Sequence, residues 1–400
     1  MNILFVVPYS PSPIRVRSYN LIKSLLALGH NITLLYLIEK EFQPEQLVAS
    51  ASFDSVGLNM PRWQSMLNCL LALPTGQPLQ AVYSWSNQLA KDIQLFLTQK
   101  NFDLVHVEHL RGVNYALMIK KHHRIPVVWD SVDSITYLFR QAKKNHPKKL
   151  LRWLIKFELK RTEKFEKFLA NQFNKLLVTS QKDREEFLRL SPSSPVEIIT
   201  NGVDLDYFSP IPAQERHKNV ILISGKMSYH ANVDMALFTI TKIMPIVWQK
   251  NDDVELWVVG KDPPPLLSNY SGHPKIKITG TVPEILPYLQ KSTLALAPLN
   301  YGAGVQNKVL EAMSCGIPVI ASPLAVSALT IINGEQVLIG ENAQHYAELI
   351  LKVLSYPESA QNIGRAGRIY VEKEHSWIRI GQKLENIYCE VVKSNSKQFL

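Results

Sequence analysis

A glycine-bearing loop that leads from an apolar strand directly into a helix is the segment best suited to chemistry. It runs over 298–313, with Gly302 and Gly304 in the loop. The glycines let the backbone approach a ligand closely, and the N–H groups and dipole of the helix start favour a diphosphate. Lys308 lies one turn into the helix, with Glu311 on the same face. This spacing predicts either a diphosphate site with a carboxylate for ribose hydroxyls or a helix start with a surface Lys–Glu pair.

Polar residues after predicted strands in the first half of the chain form a second group of candidates. His106, Glu108 and His109 follow one short β-rich run, and Asp130 and Asp133 follow the next. Ligands of open α/β sheets bind at the carboxyl ends of the strands, so these side chains could contact a ligand. His106 fits equally well as a hydrogen-bonded core histidine, and the two aspartates as helix-cap and turn residues.

The elements that must position these residues alternate between strand and helix, and the alternation occurs twice. Apolar β-rich runs lie at 3–7, 32–38, 104–107, 127–129 and 176–179, and again at 220–224, 254–259, 276–279, 294–297 and 319–321. Intervening helical stretches predict two mostly parallel sheets with helices on both faces. Prolines and serines at 191–195 mark the linker. We therefore predict an α/β fold of two Rossmann-like, doubly wound domains that face a central cleft, with a boundary after residue 195.

Basic residues concentrate in one segment of the chain. The 400 residues include 44 basic and 34 acidic ones, which gives a formal net charge of +10. Between Lys143 and Lys167, ten basic residues stand against three acidic ones, so this segment supplies +7. A local patch of this kind indicates an anionic partner.

The apolar residues of the same segment fall on one helical stripe, formed by Leu150, Leu154, Phe157, Phe165 and Phe168. Two interpretations stay open. One is a core-facing helix with a solvated basic face, and the other is a helix that lies on an anionic membrane surface over 143–168.

Cysteines and apolar runs limit the compartment and the class of protein. Cys69, Cys315 and Cys389 are far apart, which argues against a disulfide framework or a metal site and favours a reducing compartment. The apolar start at 1–7 is too short for a signal peptide. The nearest approach to a membrane span, at 67–73, is much shorter than the ~18 residues required. We expect a cytoplasmic protein, soluble or peripheral on the inner face of the plasma membrane.

The glycine-loop segment resembles the donor-binding motif of glycosyltransferase family 4, a family of retaining enzymes with the GT-B fold. The stretch 311–321 is close to the family consensus, and 201–204 resembles the interdomain motif. The stretch 225–227, with Asn232, resembles the glycine–basic phosphate-binding loop. In the first half, 129–134 is similar to bacterial exopolysaccharide-type sugar transferases. The resemblance covers almost the whole chain and is more specific in its second half.

The resemblance implies transfer of a hexose from a UDP- or GDP-linked sugar to a glycan or lipid-linked acceptor, with retention at the anomeric carbon, in polysaccharide biosynthesis. It implies an acceptor-side domain at 1–195, a donor domain at 196–376 and a last helix in 377–400 that crosses back. The implied catalytic residues are Lys226, Lys308, Glu311 and His109. The implied donor-binding residues are Gly225, Asn232, Val282, Gly302, Ala303, Gly304, Val305 and Asn307. The implied acceptor or sugar contacts are Arg17, His106, Glu108, Asp130 and Asp133.

In this scheme Lys226 and Lys308 neutralise the donor diphosphate and Glu311 holds the ribose, so we expect no tightly bound cofactor and no metal. Family members often carry Glu, seven residues and a second Glu, whereas here Ala303 stands at the first position. The alternatives are therefore a non-catalytic nucleotide-sugar-binding relative and a sugar epimerase of the same fold. A nucleic-acid partner is not expected, because the basic residues cluster on one predicted helix instead of lining a groove.

Overall fold

The computed structural model describes residues 1–12, 16–38, 51–145, 149–301 and 304–397. These residues form two compact units. The first unit comprises residues 1–200 and the segment that begins at Trp377, and the second comprises residues 201–376. Each unit has one sheet whose described strands are all parallel, so the predicted class of two Rossmann-like α/β domains is confirmed.

The sheet of the first unit contains seven strands in the described ranges. They are β1 (Asn2–Val7), β2 (Asn31–Ile38), β3 (Phe53–Asn59), β4 (Leu104–Glu108), β5 (Val127–Val132), β6 (Lys175–Val178) and β7 (Val196–Ile198). Their spatial order is β3-β2-β1-β4-β5-β6-β7. The chain therefore leaves β1 toward one edge and returns through β4 toward the other, which makes the gap between β1 and β4 the switch point of the sheet.

Helices fill the connections of the first unit. They are α1 (Val16–Ala27), α2 (Arg62–Ala72), α3 (Leu79–Tyr83), α4 (Asn87–Gln99), α5 (His109–His122), α6 (Ile135–Asn145), α7 (Lys149–Leu169) and α8 (Gln181–Leu190), with a 3-10 turn at Leu73–Thr75. Serine hydroxyls cap two of them, because Ser86 accepts from Leu89 N and Ser180 accepts from Asp183 N. Gly29, just beyond the end of α1, adopts a left-handed φ of 85°, as residues that end helices commonly do.

The second unit repeats the plan around a single core. Its strands are β8 (Val220–Ser224), β9 (Glu255–Val259), β10 (Ile276–Ile278), β11 (Leu294–Ala297), β12 (Val319–Ala321) and β13 (Leu338–Ile339), in the order β10-β9-β8-β11-β12-β13. Its helices are α9 (His230–Phe238), α10 (Met244–Trp248), α11 (Pro265–Ser268), α12 (Leu286–Lys291), α13 (Asn307–Ser314), α14 (Ala343–Ser355) and α15 (Pro357–Glu374). The switch point here lies between β8 and β11.

The last helix, α16 (Trp377–Lys397), belongs to the first unit. The residues Trp377, Ile380, Leu384, Ile387 and Val391 recur at intervals of three and four and are all buried. They pack with α1 on one face of the first sheet, in the same cluster as Ile3, Phe5 and Val7. Leu4 and Val6 point to the cluster on the opposite face, because side chains alternate along a strand.

The apolar stripe predicted for α7 does not face the core. Leu154, Phe157 and Phe168 are exposed and Phe165 is half-buried, whereas the side chain of Leu150 lies outside the described residues. The core-facing interpretation is therefore wrong for the three exposed residues. The buried face of α7 instead presents Leu159, Arg161, Thr162, Glu166 and Leu169. Glu166 is satisfied there by the hydroxyl of Ser134 and the N–H groups of Ile135 and Thr136, and Arg161 by the carbonyls of Ala72 and Leu73.

Candidate active site

The carboxyl edge of the first sheet carries a buried ion pair at its switch point. Arg17 of α1 donates from Nε to Asp130 Oδ2 at 2.7 Å and from Nη2 to Asp130 Oδ1 at 3.0 Å. Its Nη1 donates to the carbonyl of Ile199 at 2.8 Å. Both side chains of the pair are nearly inaccessible to solvent, with exposures of 5% and 0%. The fork of the guanidinium thus ties α1 to β5, which is the geometry that bidentate Arg–carboxylate pairs favour.

His106 lies inside the core of the first unit. Its ring stacks on Phe5 with 4.4 Å between centroids, and its Nδ1 shares a hydrogen bond of 2.7 Å with the hydroxyl of Tyr388. Burial lowers the pKa of His106 to about 4, with the nearby Arg17 charge acting in the same direction against Asp130. The ring is therefore neutral near pH 7. This placement fits the core-histidine interpretation of His106.

Glu108 ends β4 with a side chain that is only 1% exposed. It accepts a hydrogen bond from the hydroxyl of Tyr9, which follows β1. Burial raises the pKa of Glu108 to about 7, and the charge of Asp130 acts in the same direction, whereas Tyr9 and Arg17 oppose the shift. A carboxyl group with this pKa can either hold or release a proton near neutral pH.

His109 begins α5 in a left-handed conformation with φ of 65°. Its Nδ1 accepts the backbone N–H of Arg111 at 3.2 Å, which places the ring proton of the neutral imidazole on Nε2. Val132, at the end of β5, has φ of 69°, which is costly for a β-branched residue. Non-glycine residues in this region are strained, and such strain concentrates at functional sites. The ends of β4 and β5 are therefore the candidate site positions of the first sheet.

Asp133 lies just beyond this edge and is half-buried. It accepts the hydroxyl of Thr179 at 3.0 Å. Burial raises the pKa of Asp133 to about 7, the charge of Asp183 adds to the shift, and Thr179 and Arg17 oppose it. Asp183 in turn accepts the backbone N–H of Ser134 at 2.9 Å, so this acidic pair also organises the start of α6.

The second sheet presents a tight glycine turn at its switch point. Gly225 follows β8 with φ of 146°, and a Cβ there would lie 2.7 Å from the Asn232 amide nitrogen. A Cβ on Gly260, which follows β9, would lie 1.8 Å from the Gly225 carbonyl oxygen. A Cβ at Gly260 would require the backbone of Gly225 to move, and one at Gly225 would meet the Asn232 side chain at a φ that other residues rarely adopt, so the turn favours glycine at both positions.

One buried amide joins this turn to α13. Asn232 is 6% exposed, and its Nδ2 donates to the carbonyl of Lys226 at 2.9 Å. Its Oδ1 accepts from Lys308 Nζ. The structure thus brings Lys308 next to the segment that contains Gly225, Lys226 and Asn232, although Lys308 lies 76 positions after Asn232. The side chain of Lys226 is exposed, so its charge faces solvent beside the turn.

Lys308 and Glu311 are half-buried on one face of α13. Burial lowers the pKa of Lys308 to about 8, although Glu311 opposes the shift. Burial raises the pKa of Glu311 to about 7, and Lys308 opposes that shift. Each group is thus underhydrated and gains from a ligand of complementary charge or hydrogen bonding. Within the described residues, no side-chain hydrogen bond caps the N-terminus of α13 and its first turn holds no acidic residue, which favours an anion there.

The other predicted donor-site residues are placed as follows. Gly304 has a left-handed φ of 68°, and Val305 is buried just before α13. Asn307 Oδ1 accepts from Asn201 Nδ2 at 3.4 Å, and Val282 is half-buried against the core of the second unit. Gly302 and Ala303 lie outside the described residues.

Comparison with known families accounts for most of the chain. A family model described as Glycosyltransferase Family 4 matches residues 14–207, and a model described as Glycosyl transferases group 1 matches residues 218–356. The chain belongs to glycosyltransferase family 4. The matched ranges include both glycine–lysine segments of the second unit and the strained edge of the first.

Individual relatives of this family 4 chain are distant. A GDP-mannose-dependent monoacylated alpha-(1-6)-phosphatidylinositol monomannoside mannosyltransferase of Corynebacterium glutamicum is 24% identical over 250 residues, which cover 55% of this chain and 63% of the relative. The chain thus spans less than two thirds of the length of this curated relative.

Two solved structures share the fold with the family 4 chain. Sucrose-phosphate synthase from Thermosynechococcus elongatus has a TM-score of 0.73 at 17% identity, covering 98% of this chain and 100% of that one. HepE from Anabaena, in complex with UDP, has a TM-score of 0.69 at 13% identity, with the same coverage of 98% and 100%. These likenesses, together with the two parallel sheets, show the GT-B fold.

Sequence reasoning missed contacts between α9 and the loop after β11. The ring nitrogen Nδ1 of His230 shares a hydrogen bond with the Tyr301 hydroxyl. Asn300 Nδ2 donates to Asp234 Oδ2 at 2.9 Å. Each pair is separated by more than sixty residues, so no local spacing in the sequence indicates it. Together they link the loop that precedes Gly304 to the helix that follows Gly225.

One acidic triplet of the family 4 chain has the residue types that could bind a metal ion. The chain holds an Asp-x-Asp triplet at 204–206, but Asp204 Oδ1 accepts the backbone N–H groups of Asp206 and Tyr207 at 3.2 and 3.1 Å. Its carboxylate therefore closes a turn. Within the described ranges, no three His, Cys, Asp or Glu side chains are grouped as a metal site.

Proposed function

We propose that this family 4 chain transfers a sugar from a nucleotide diphosphate donor to an acceptor hydroxyl, with retention at the anomeric carbon. The observation that supports the proposal best is the junction of Lys226, Asn232 and Lys308 at the switch point of the second sheet. A glycine turn, an uncapped helix start and a partly buried ammonium group are together suited to a diphosphate. In the proposal the second unit takes the donor.

The leaving group of such a transfer is the nucleoside diphosphate, and negative charge builds on its β-phosphate as the glycosidic bond breaks. Lys308 and the N–H groups of α13 stabilise that charge in the proposed mechanism, with Lys226 supplying a second cation. Because Asn232 already holds the Lys308 ammonium in place, little reorganisation is needed when the charge develops. Gly302, Ala303, Gly304, Val305, Asn307 and Val282 complete the proposed donor site.

Glu311 has the chemistry to accept hydrogen bonds from the vicinal ribose hydroxyls. Burial raises its pKa to about 7, so at pH 8 the carboxylate is ionised and short of hydration. Two ribose hydroxyls would replace the missing water. This contact is made equally in the ground state and the transition state, which makes it a binding contact more than a catalytic one.

The first unit would supply the acceptor side. His109 is the residue that we propose to touch substrate, since its backbone is strained and its proton lies on Nε2. Glu108 follows the same strand, with burial raising its pKa to about 7, and can exchange a proton with a hydroxyl group. Arg17, His106 and Asp130 hold this edge together from within the core, and Asp133 borders it.

A melting screen followed by a transfer assay would identify the nucleobase, the sugar and the acceptor. The Corynebacterium relative is named for GDP-mannose and a phosphatidylinositol mannoside, whereas the Anabaena structure holds UDP. Melting of the full chain is measured with UDP, GDP and their hexose conjugates, because ligand that binds the native state stabilises it by mass action. The stabilising donor is then incubated with glycan and lipid-linked acceptors, and the anomeric configuration of the product is determined by NMR.

Transfer with retained configuration at the anomeric carbon supports the proposal. A product with inverted configuration would contradict the proposed retention, although not the transfer itself. A donor that binds but is neither transferred nor hydrolysed would identify a non-catalytic nucleotide-sugar-binding relative, and a change of the sugar itself would identify an epimerase. If no nucleotide raises the melting temperature, the proposed donor site is contradicted.

We further propose that the chain works at the anionic inner surface of the plasma membrane, through residues 143–168. Five basic residues of α7 are exposed on one side of the helix: Arg152, Lys156, Lys160, Lys164 and Lys167. Lys143, Lys144, Lys148 and Lys149 lie at or before its start. Basic clusters of this size are attracted to anionic lipids. In the described residues, no helix is long and apolar enough to cross a membrane.

A further inference from the structure

Helix α2 exposes an unusual amount of apolar surface. Trp63, Met66, Leu67, Leu70 and Leu71 are 65%, 66%, 44%, 61% and 65% exposed, and Leu73 in the following turn is 48% exposed. Arg62 is the only charged residue of the helix. Isolated apolar residues are normal on protein surfaces, but a contiguous group of this size marks an interaction site.

The exposed face of α7 combines aromatic and basic side chains. Trp153, Leu154, Phe157 and Phe168 are between 40% and 62% exposed, and Trp153 stacks on Phe157. The five exposed lysine and arginine residues named above alternate with them. This mixture of aromatic rings and long basic side chains is typical of surfaces at the boundary between headgroups and hydrocarbon.

The acidic residues of α7 are each engaged by a partner within the first unit. Glu158 pairs with Arg161, Glu163 pairs with Arg140 and Arg189, and Glu166 caps the start of α6. Glu166 is buried, and the other two are half-buried. The Glu163 side chain stays 37% exposed but is held by two arginines, so the five exposed basic residues leave the outward face positively charged and complementary to an anionic partner.

Hydrogen bonds fix α2 beside α7. Arg161 Nη2 donates to the carbonyls of Ala72 and Leu73 at 2.5 and 3.2 Å, and its guanidinium lies 4.9 Å from the centre of the Phe157 ring. Glu158 Oε2 accepts the N–H of Leu79, which follows α2 and its turn. The two exposed faces are therefore parts of one surface. We call it the α2–α7 face.

We infer that the α2–α7 face docks on an anionic lipid bilayer, with α2 entering the hydrocarbon boundary and α7 lying at the headgroups. A second copy of the chain fits poorly, because two α7 faces repel each other. A soluble acidic protein would match α7 but leave the apolar side chains of α2 uncovered. A bilayer supplies phosphate charge and hydrocarbon together. The inference extends the membrane part of the proposed function and does not depend on sugar transfer.

The test uses flotation of the full chain with vesicles of phosphatidylcholine alone or mixed equally with phosphatidylglycerol. Binding is measured at about 0.1 M and about 1 M NaCl, between which the screening length falls from about 10 to about 3 Å. One variant replaces Leu67, Leu70 and Leu71 with Ser, and another replaces Arg152, Lys156 and Lys160 with Glu. The matched control replaces Leu95, Leu266 and Ile369, which are also exposed, with Ser.

We expect the charge variant to lose binding at low salt and the control to bind like the unaltered chain. The α2 variant should keep a salt-sensitive association, weakened about tenfold, and lose the fraction that resists high salt. Binding by the α2 variant that equals the control at both salt concentrations would overturn the inference. Loss of binding by the α2 variant alone, with the charge variant binding normally, would contradict the role given to α7 both here and in the proposed function.

Two further measurements keep the inference testable if the α2 variant fails to fold. Fluorescence of Trp63, taken as the difference between the unaltered chain and Trp63→Phe, should shift to the blue on anionic vesicles and be quenched by brominated acyl chains. An unquenched difference signal would contradict insertion of α2. Light scattering without lipid should show a monomer; a dimer that the Ser substitutions dissociate would assign the face to a second copy and overturn the inference.

Discussion

At the carboxyl edge of the first sheet the charged side chains are buried against one another, whereas at the edge of the second sheet they are half-buried beside glycine turns. Arg17 and Asp130 satisfy each other with two hydrogen bonds. Lys308 and Glu311 share a helix face but keep charge and hydrogen-bonding capacity toward the surface. The same topology therefore carries an edge whose charges satisfy one another in one unit and, in the other, an edge to which we assign the donor in the proposed function.

The largest expected effect comes from breaking the buried pair, which we expect to make the edge of the first sheet rigid. Asp130→Asn leaves the buried Arg17 without its countercharge and should lower the free energy of unfolding of the first unit by about 3–5 kcal/mol. The measurement is denaturant unfolding monitored by fluorescence. Asp54→Asn is the matched control, because Asp54 pairs with Lys100 in the same unit while both side chains are about half exposed, and it should cost at most about 1 kcal/mol. Equal losses of stability from the two substitutions would contradict the idea that the buried pair makes the edge of the first sheet rigid.

The next effect concerns the proposed donor site. Lys308→Ala removes the ammonium group that Asn232 holds and should reduce transfer by about 1.5–3 kcal/mol, mainly through kcat, because charge on the leaving group grows in the transition state. Steady-state kinetics with the donor found by the melting screen provides the measurement. Lys291→Ala, an exposed lysine of the same unit, serves as the control. A fall in melting temperature with unchanged nucleotide affinity would make Lys308 a structural residue.

A smaller change is expected at Glu311. Glu311→Gln weakens the proposed contacts with ribose and should raise the donor KM about tenfold, equivalent to about 1.4 kcal/mol, with little change in kcat. A matching loss of kcat would contradict the ground-state role.

The pH dependence of donor affinity sharpens the same prediction. Burial raises the pKa of Glu311 to about 7, so affinity should fall as the carboxylate is protonated below that pH. Burial lowers the pKa of Lys308 to about 8, so affinity should also fall as the ammonium loses its proton above that pH. Glu311→Gln should abolish the acidic limb alone. An acidic limb that persists in this variant would assign it to another group.

The smallest effect is expected from chelation. If Lys226, Lys308 and the helix start carry the diphosphate charge, EDTA should leave transfer within about twofold of the untreated rate, since no step relies on a Lewis acid. Loss of transfer that Mn²⁺ or Mg²⁺ restores would show that the cations of the second unit are insufficient.

Periodicity predicted the sheets well, because long apolar strands are buried on both faces. It missed β3, whose residues 53–59 are mostly half-buried at the edge of the sheet and carry Gly57 in their middle. It also missed β7, which starts at Val196, directly after the prolines and serines that predicted a linker. Short edge strands bury too little apolar surface to produce a distinct pattern.

The candidate site was predicted unevenly for a similar reason. The spacing of Lys308 and Glu311 is local, so sequence alone placed them on one face of a helix. The Asn232–Lys308 contact joins residues 76 positions apart, and only the packing of the second unit reveals it. On α7 the buried side includes Arg161, Thr162 and Glu166, so counting apolar residues selected the wrong face as core.

The placement of α16 has a consequence for the order in which the chain folds during synthesis. The second unit is contiguous, so residues 201–376 can emerge and fold before translation ends. The first unit is discontinuous, because α16 fills its core beside strand β1, which is made hundreds of residues earlier. The residues of α16 in this core include Trp377, Ile380, Leu384 and Tyr388. A chain ending at Ser376 should keep a protease-resistant second unit and a protease-sensitive first unit. The core of the first unit is therefore complete only after α16 has been synthesised, whereas the second unit needs no residue beyond Ser376.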